Sequence, residues 1–309
     1  MNVHERFSSY EGGKCWQAHV ADQNRGEDLQ IAGMTEQEAA GLRVGDFDFD
    51  FVPKEDKEKC SEIRTFIERH EWLCKLPIWV THRFTARLKS NGTLAGTIIL
   101  ATPNSFSNLL GEENKNREKL IARGACISWS PKNLGSWLIM KSLRWMVKHT
   151  EFRYFTAYSD PEAKELGTIY QACNFIYLGQ KFGAGNQYLD PTNPDRGWFG
   201  SSGFNDRSQI VRYAKGLGIE WKKEWIKFVG AKKNIRKINW QMMPEDIADR
   251  IKQERVAHRK RCLSRPSPPK HKYCYILGDS KQETKKLNKL FKKHNPDKAG
   301  LPFPESRGE

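Results

Sequence analysis

The chain has 309 residues, 38% of them hydrophobic, with 24 glycines and 14 prolines. That composition excludes a fibrous or wholly disordered chain and allows one decorated domain or two small ones. Of 52 Lys+Arg and 37 Asp+Glu, residues 1–205 hold 25 of each and residues 206–309 hold 27 against 12, so the whole excess of +15 lies in the last third, a polyanion footprint.

No apolar run approaches the roughly 18 residues that span a bilayer, and the start, Met1-Asn2-Val3-His4-Glu5-Arg6, has no secretory stretch. Seven cysteines without a C-x-x-C pair argue against a disulfide framework and a zinc ribbon. An unexported protein of a reducing cytoplasm, away from membranes, is expected.

No internal repeat is visible, and residues 1–43 read as an N-terminal extension. Asp46-Phe47-Asp48-Phe49-Asp50-Phe51 alternates as a half-buried strand does. Ser61 to Leu73 sets Ile63, Phe66, Ile67 and His70 on one helical stripe. Arg83–Lys89 and Ala95–Ala101 flank Asn91-Gly92, a pair that tolerates the positive φ of a hairpin turn. Leu120 to Trp129 predicts a strand, Ser130 to Gly135 a loop, and Ser136 to His149 a helix. Phe152 to Tyr158 predicts another strand. Asp160-Pro161 opens a helix expected to run to about Cys173, and Phe175 to Leu178 is a short strand. Residues 181–206, rich in Gly, Asn, Asp and Pro, predict a long loop or lid.

Residues 207–264 predict a basic, mainly helical segment. Within it Trp221, Trp225 and Phe228 fall at i, i+4, i+7, interleaved with Lys222, Lys223, Lys227, Lys232 and Lys233. Core packing of the rings and a solvated back of lysines is the plain reading, but the charge excess still calls for a partner, and nucleic acid suits it. Residues 265–309 hold the stiff Arg265-Pro266-Ser267-Pro268-Pro269, a strand candidate at Tyr273–Leu277 and a basic tail.

The order strand, helix, hairpin, strand, loop, helix, strand, helix, strand resembles the N-acetyltransferase superfamily (GNAT). The expected fold class is α/β (α+β), a GNAT-like central mixed sheet over residues 44–180 flanked by helices, with the basic helical segment as a C-terminal extension. A closer resemblance rests on His82-Arg83, Arg123, Ser130-Pro131-Lys132-Asn133-Leu134-Gly135-Ser136, Asp160-Pro161, Lys270-His271-Lys272-Tyr273 and above all Gly167-Thr168-Ile169-Tyr170-Gln171-Ala172-Cys173-Asn174-Phe175. These resemble phage Mom proteins over about residues 46–180 and 265–303. The resemblance implies conversion of adenine in phage DNA to N6-carbamoylmethyladenine, protecting it from restriction, and marks His82, Arg123, Ser136, Asp160 and Tyr170 as active-site candidates.

Each residue has its own chemistry. Asp160, before Pro161, suits a helix cap and, at a strand end facing a cleft, a proton acceptor for the adenine amine. Tyr170 is a packing tyrosine or, as the GNAT resemblance implies, the acid that protonates a leaving thiolate. Ser136 caps a helix or, beside Gly135 and Lys132, meets a phosphate or acyl donor at the helix start. Arg123 interrupts a small, apolar strand where a charge needs a partner, which favours an anion or substrate contact. His82 reads as structural, a base, a DNA contact or a metal ligand.

The resemblance implies acetyl-CoA or a related donor. Yet Lys132-Asn133-Leu134-Gly135-Ser136-Trp137 departs from the R/Q-x-x-G-x-G/A pyrophosphate loop of GNAT enzymes in its first lysine and its last tryptophan. No compact His/Cys/Asp cluster with metal-ligand spacing is evident, which leaves a metal requirement and the oligomeric state open. An adenine amine is paired and stacked in double-stranded DNA, so the base must be flipped out while the basic segment holds phosphates. Two other functions fit the same residues: a GNAT N-acetyltransferase of a protein, aminoacyl-tRNA or small molecule, and a non-catalytic nucleic-acid-binding protein on a GNAT-like scaffold.

Overall fold

The computed structural model describes Phe7 and residues 12–77, 79–181, 183, 185–229 and 235–305. The chain divides into two compact units, residues 10–181 with 269–309, and residues 1–9 with 182–268.

In the larger unit the alternating phenylalanines form β1 (Phe47–Phe51), antiparallel to β2 (Val80–Leu88). β2 and β3 (Leu94–Ala101) make the predicted hairpin, with Gly92 at φ +74 in its turn. β3 pairs antiparallel with β4 (Glu118–Cys126), and β4 parallel with β5 (Tyr154–Ser159). The late strand β12 (Lys270–Ile276) enters between β5 and β6 (Ile176–Lys181), antiparallel to both. The resulting seven-stranded mixed sheet, ordered β1-β2-β3-β4-β5-β12-β6, is the expected GNAT-like architecture.

Helices cover both faces of this sheet. α1 (Trp16–Ala32) and α2 (Glu36–Gly41) precede it, and Thr35 and Glu38 close a capping box on α2. α3 (Lys57–His70) buries Ile63, Phe66 and Ile67 and joins the face that carries Arg87 through the Glu62–Arg87 ion pair. α4 (Leu134–His149) buries Leu138, Leu143 and Met146, and its Trp145 meets Phe84 on the other face. The N-terminal segment is structural. Asp28 of α1, 2% exposed, accepts from Arg69 Nη2 at 2.8 Å and from the Ser128 hydroxyl at 2.6 Å, tying α1 to the end of α3 and the loop after β4.

Three predicted elements differ. The helix expected from Pro161 to Cys173 is a 3-10 turn (Pro161–Ala163) and a separate α5 (Thr168–Ala172), because Lys164 and Gly167 both adopt positive φ. Gly167 is required twice over: its φ is +68, and a Cβ there would stand 2.5 Å from the Tyr273 ring. The predicted loop at 181–206 holds β7 (Asn186–Leu189) and β8 (Phe199–Gly200), and the proline-rich segment after it begins with β11 (Leu263–Pro266), the three forming a sheet in the smaller unit. Pro266 ends the last of these strands, a position where the missing N–H costs little.

Among the described residues of the basic segment, α-helix is confined to α6 (Arg207–Gly216) and α7 (Glu245–Arg261). Between them β9 (Ile226–Val229) pairs with β10 (Ile235–Ile238) where the i, i+4, i+7 aromatics predicted a helix. Trp225 is buried among Ile210, Ala248 and Ile251, whereas Phe228 is 54% exposed, so the three rings do not share a face. The β-branched ends Ile226 and Val229 and the aromatic Phe228 favour the strand. The basic tail forms α8 (Lys281–His294), capped by Ser280. Among the described residues no helix is long and apolar enough to cross a membrane.

Candidate active site

The parallel ladder between β4 and β5 covers only Glu118↔Tyr154 to Ile121↔Ala157. Beyond it the strands part, β4 running on to Cys126 and β5 to Ser159. At the parting β4 carries a bulge: Ile99 pairs with Arg123 and Leu100 with Ile121, leaving Ala122 over. Arg123 follows the bulge and is anchored by its own fork, Nε donating to the Lys75 carbonyl at 3.0 Å and Nη1 to the Ala122 carbonyl at 2.5 Å.

The anion that Arg123 calls for is Glu71, at the end of α3. Its Oε1 is 3.8 Å from Arg123 Nε and its Oε2 accepts from the Leu73 N–H at 3.0 Å. Burial pushes the Glu71 carboxyl up to about 7, against the pull of Arg123 and the nearby N–H groups. A second carboxyl behaves alike. Glu165, on the corner between the 3-10 turn and α5, accepts from Trp72 Nε1 at 3.1 Å and from the Asp160 N–H at 3.3 Å. Burial pushes it up to about 7, with the charges of Glu71 and Asp160 adding to the shift.

Asp160 ends β5 and is 8% exposed. One oxygen caps the 3-10 turn, accepting from the Glu162 N–H at 3.1 Å; the other holds Lys270 Nζ of β12 at 2.8 Å. The expected cap is therefore present, and Lys270 holds the other oxygen of Asp160. Tyr170 of α5 packs against Phe175 and Tyr273, with ring centroids 5.3 and 5.4 Å away. Burial, then the Glu165 and Glu71 carboxylates, push its phenol up, with Arg123 opposing. Arg123, Asp160 and Tyr170, chosen from sequence, therefore gather with Glu71 and Glu165, which sequence reasoning missed.

The other candidates lie apart or along the rim. His82 shares no face with Arg123: Arg83, Ile99 and Arg123 form one row across the sheet, and His82 points to the other side. There it sits among Phe51, Phe84, Trp145 and Phe152, with Nδ1 3.0 Å from the Thr81 hydroxyl. Burial and Lys119 push its imidazole down to about 4. A neutral ring in an aromatic box is a packing residue, and the structure removes it from the catalytic group.

Ser136 lies in the first turn of α4, where its hydroxyl donates to the Asn133 carbonyl at 3.1 Å, so it does not cap the helix. The same turn meets α5: Cys173 Sγ lies 3.8 Å from the Ser136 carbonyl, and a Cβ on Gly135 would stand 2.9 Å from Ile169 Cδ1. Lys132 is exposed just before the helix.

In the smaller unit Lys222, Lys223 and Lys227 are exposed, while Lys232 and Lys233 lie outside the described residues. Lys227 stands directly across the hairpin from the exposed Lys237. The same unit also supplies what the sequence reading found lacking: ligand atoms of Asp190, His258 and Cys262 lie within 4.8 Å of one another. His258 and Cys262 are an i, i+4 pair, a legible signal; Asp190 is remote in sequence.

Residues 75–191 match the Mom protein family. No curated protein matches the sequence. Among solved structures, the ribosomal-protein-S5-alanine acetyltransferase from Vibrio fischeri is 14% identical with a TM-score of 0.28, over 41% of this chain and 61% of that one. The IAA acetyltransferase from Bacillus cereus is 14% identical with a TM-score of 0.30, over 45% and 83%. A Bacillus subtilis acetyltransferase in complex with CoA is 9% identical with a TM-score of 0.31, over 75% and 99%. Those scores leave the fold to rest on the sheet order, and the family match spans β2 to β7, the stretch that holds Arg123, Asp160, Glu165 and Tyr170. Over residues 75–191 the chain is Mom-like, and the sheet that carries this segment is GNAT-like.

Proposed function

We propose that this protein is a DNA-modifying transferase that converts adenine to N6-carbamoylmethyladenine. The observation that carries the reading is the gathering, within the Mom-like segment and at the parting of β4 and β5, of Arg123, Asp160 and Tyr170 with two carboxyls held near neutrality. A carboxyl that titrates near 7 takes and returns a proton at physiological pH, which general base work on the weakly nucleophilic adenine amine requires. Glu165 is that base. Asp160, fixed by Lys270, orients the amine, and Tyr170 keeps its proton at neutral pH and delivers it to a departing group. Arg123 offers positive charge to an anionic donor or to charge that develops in the transition state.

The first turn of α4 fits an acyl-CoA type of donor. It presents free N–H groups and the positive end of a 16-residue helix beside exposed Lys132, and over Gly135 only the tip of the 38% exposed Ile169 stands in the way. Such a donor passes on its carbonyl carbon with the thiol as leaving group, which accounts for an acyl group on the amine and not for a methylene link. Because the carbamoylmethyl group is joined through its methylene, simple acyl transfer does not complete the reaction and a nitrogen source is also needed.

A duplex-bound adenine must leave the stack, at a cost of a few kcal/mol, and the strand must be gripped while it does so. The hairpin lysines suit that task. Like charges directly opposed across an antiparallel pair destabilise it, so Lys227 and Lys237 gain when a phosphate lies between them. Mass spectrometry of nucleosides from cells expressing the wild type and Asp160→Ala tests the reading. A heavier deoxyadenosine is expected with the wild type alone. Normal nucleosides in both, with acetyl-CoA consumed in the absence of DNA, would make the protein an acetyltransferase of another substrate.

A further inference from the structure

The smaller unit holds a cluster that the adenine chemistry does not use. Asp190 follows β7, and His258 and Cys262 lie at the end of α7, one turn apart. Asp190 and His258 are 7% and 5% exposed, and Cys262 is half-buried. His258 Nε2 is 2.8 Å from Asp190 Oδ2 and 3.5 Å from Cys262 Sγ. Asp190 and His258 are held from behind. The Thr192 N–H and hydroxyl both bond Asp190 Oδ1, at 2.9 and 2.7 Å, which leaves Oδ2 turned toward the imidazole. The Tyr213 hydroxyl, 2.7 Å from His258 Nδ1, fixes the ring plane, and Phe204 closes the site with its ring edge-on to the imidazole, centroids 5.3 Å apart.

A structural Tyr–His–Asp network would be complete without sulfur. The thiol aimed at the same Nε2 is the surplus feature, and three different donors within 4.8 Å of one another, two of them with an outer partner, is the arrangement of a metal site. We propose that Asp190, His258 and Cys262 bind one Zn2+ ion through Oδ2, Nε2 and Sγ. Nitrogen, sulfur and carboxylate oxygen are zinc's usual protein ligands, and a set of three leaves a fourth tetrahedral position open.

The geometry is close to what zinc needs. At ordinary zinc bond lengths, tetrahedral ligand atoms stand about 3.3–3.6 Å apart. The histidine–cysteine separation of 3.5 Å already meets this, and the histidine–aspartate contact of 2.8 Å has to open by roughly half an ångström. Binding releases one proton, from the Cys262 thiol. With the metal on Nε2, the ring hydrogen resides on Nδ1, and there it donates to the Tyr213 oxygen.

The site is independent of the adenine reading, and so is its test. Full-length protein stripped with a chelator is titrated with Co2+ alone. One equivalent is expected to bind, with a thiolate-to-cobalt charge-transfer band and the intense visible bands of a tetrahedral site, and Zn2+ is expected to displace it. Cys262→Ser should abolish the charge-transfer band and weaken Zn2+ binding at least about tenfold, His258→Gln should do likewise, and Cys60→Ser should change nothing. Alkylation of the wild type, mapped by mass spectrometry, keeps the test valid if a variant fails to fold: Zn2+ should protect Cys262. No cobalt band in the wild type, a band that survives Cys262→Ser, or alkylation of Cys262 at the same rate with and without Zn2+ would overturn the assignment.

Discussion

Glu71 and Glu165 of the larger unit and Asp190 of the smaller one are carboxyls that their surroundings treat in opposite ways. In the larger one Glu71 and Glu165 receive few hydrogen bonds for their depth and are pushed up to about 7. In the smaller one burial also pushes Asp190 up, but the two bonds from Thr192 and the imidazole of His258 more than offset it, and the group is held below the usual carboxylate range. The contrast teaches that depth alone does not set a carboxyl's task. A carboxyl left short of donors is brought near neutrality, whereas one supplied with them is held charged.

The largest effect expected from this contrast is on catalysis. Glu165→Gln keeps an acceptor for Trp72 and removes only the ionisable group, so the yield of modified deoxyadenosine should fall about 100-fold or more, while urea unfolding at neutral pH shows no loss of stability. Full modification by the variant would break the comparison, because Glu165 would then be no more than a packing residue.

A smaller effect concerns pH and stability. The folded chain holds the Glu71 proton from its ordinary 4.5 up to about 7, where the unfolded chain has already lost it. Stability due to this group is therefore greatest below pH 4.5, falls as pH rises toward 7, and is flat above that. Urea titrations across this range should show Glu71→Gln losing part of that slope and gaining about 1–3 kcal/mol above pH 7. A slope identical to that of the wild type would show that Glu71 ionises freely.

The smallest expected change tests the charge of the smaller unit, where residues 182–268 hold 18 Lys+Arg against 9 Asp+Glu. Replacing Lys222, Lys223 and Lys227 by glutamine should lower the slope of log affinity for duplex DNA against log salt by up to about 3. An unchanged slope would move the phosphate grip to other residues.

Much of the larger unit was legible. The Phe47–Phe51 alternation, the Asn91-Gly92 turn and the apolar stripe of α4 each state a local preference that the sheet then satisfies. Arg123 was legible for a different reason, as a charge in an apolar strand that had to find an anion. Its anion was not. Glu71 in Glu68-Arg69-His70-Glu71 looks like any solvated helix end, and only the return of β4 past the loop after α3 buries it. Glu165 was hidden likewise, since the expected single helix from Pro161 to Cys173 gave no reason for a corner there. The hairpin of β9 and β10 was missed because three aromatics happened to fit a helical period, a coincidence that the partner strand overrides.

The bulge at Ala122 bears on how such a site can be gained or lost. Side chains on a strand alternate, so one surplus residue works as a frameshift written in space: everything beyond it changes side. Were β4 to run on without the bulge, Ala122 would take the place opposite Ile99 and the guanidinium of Arg123 would turn toward the aromatic box of His82. The chemistry of this sheet thus hangs on counting to one: the surplus residue keeps the charge on its own side of the sheet.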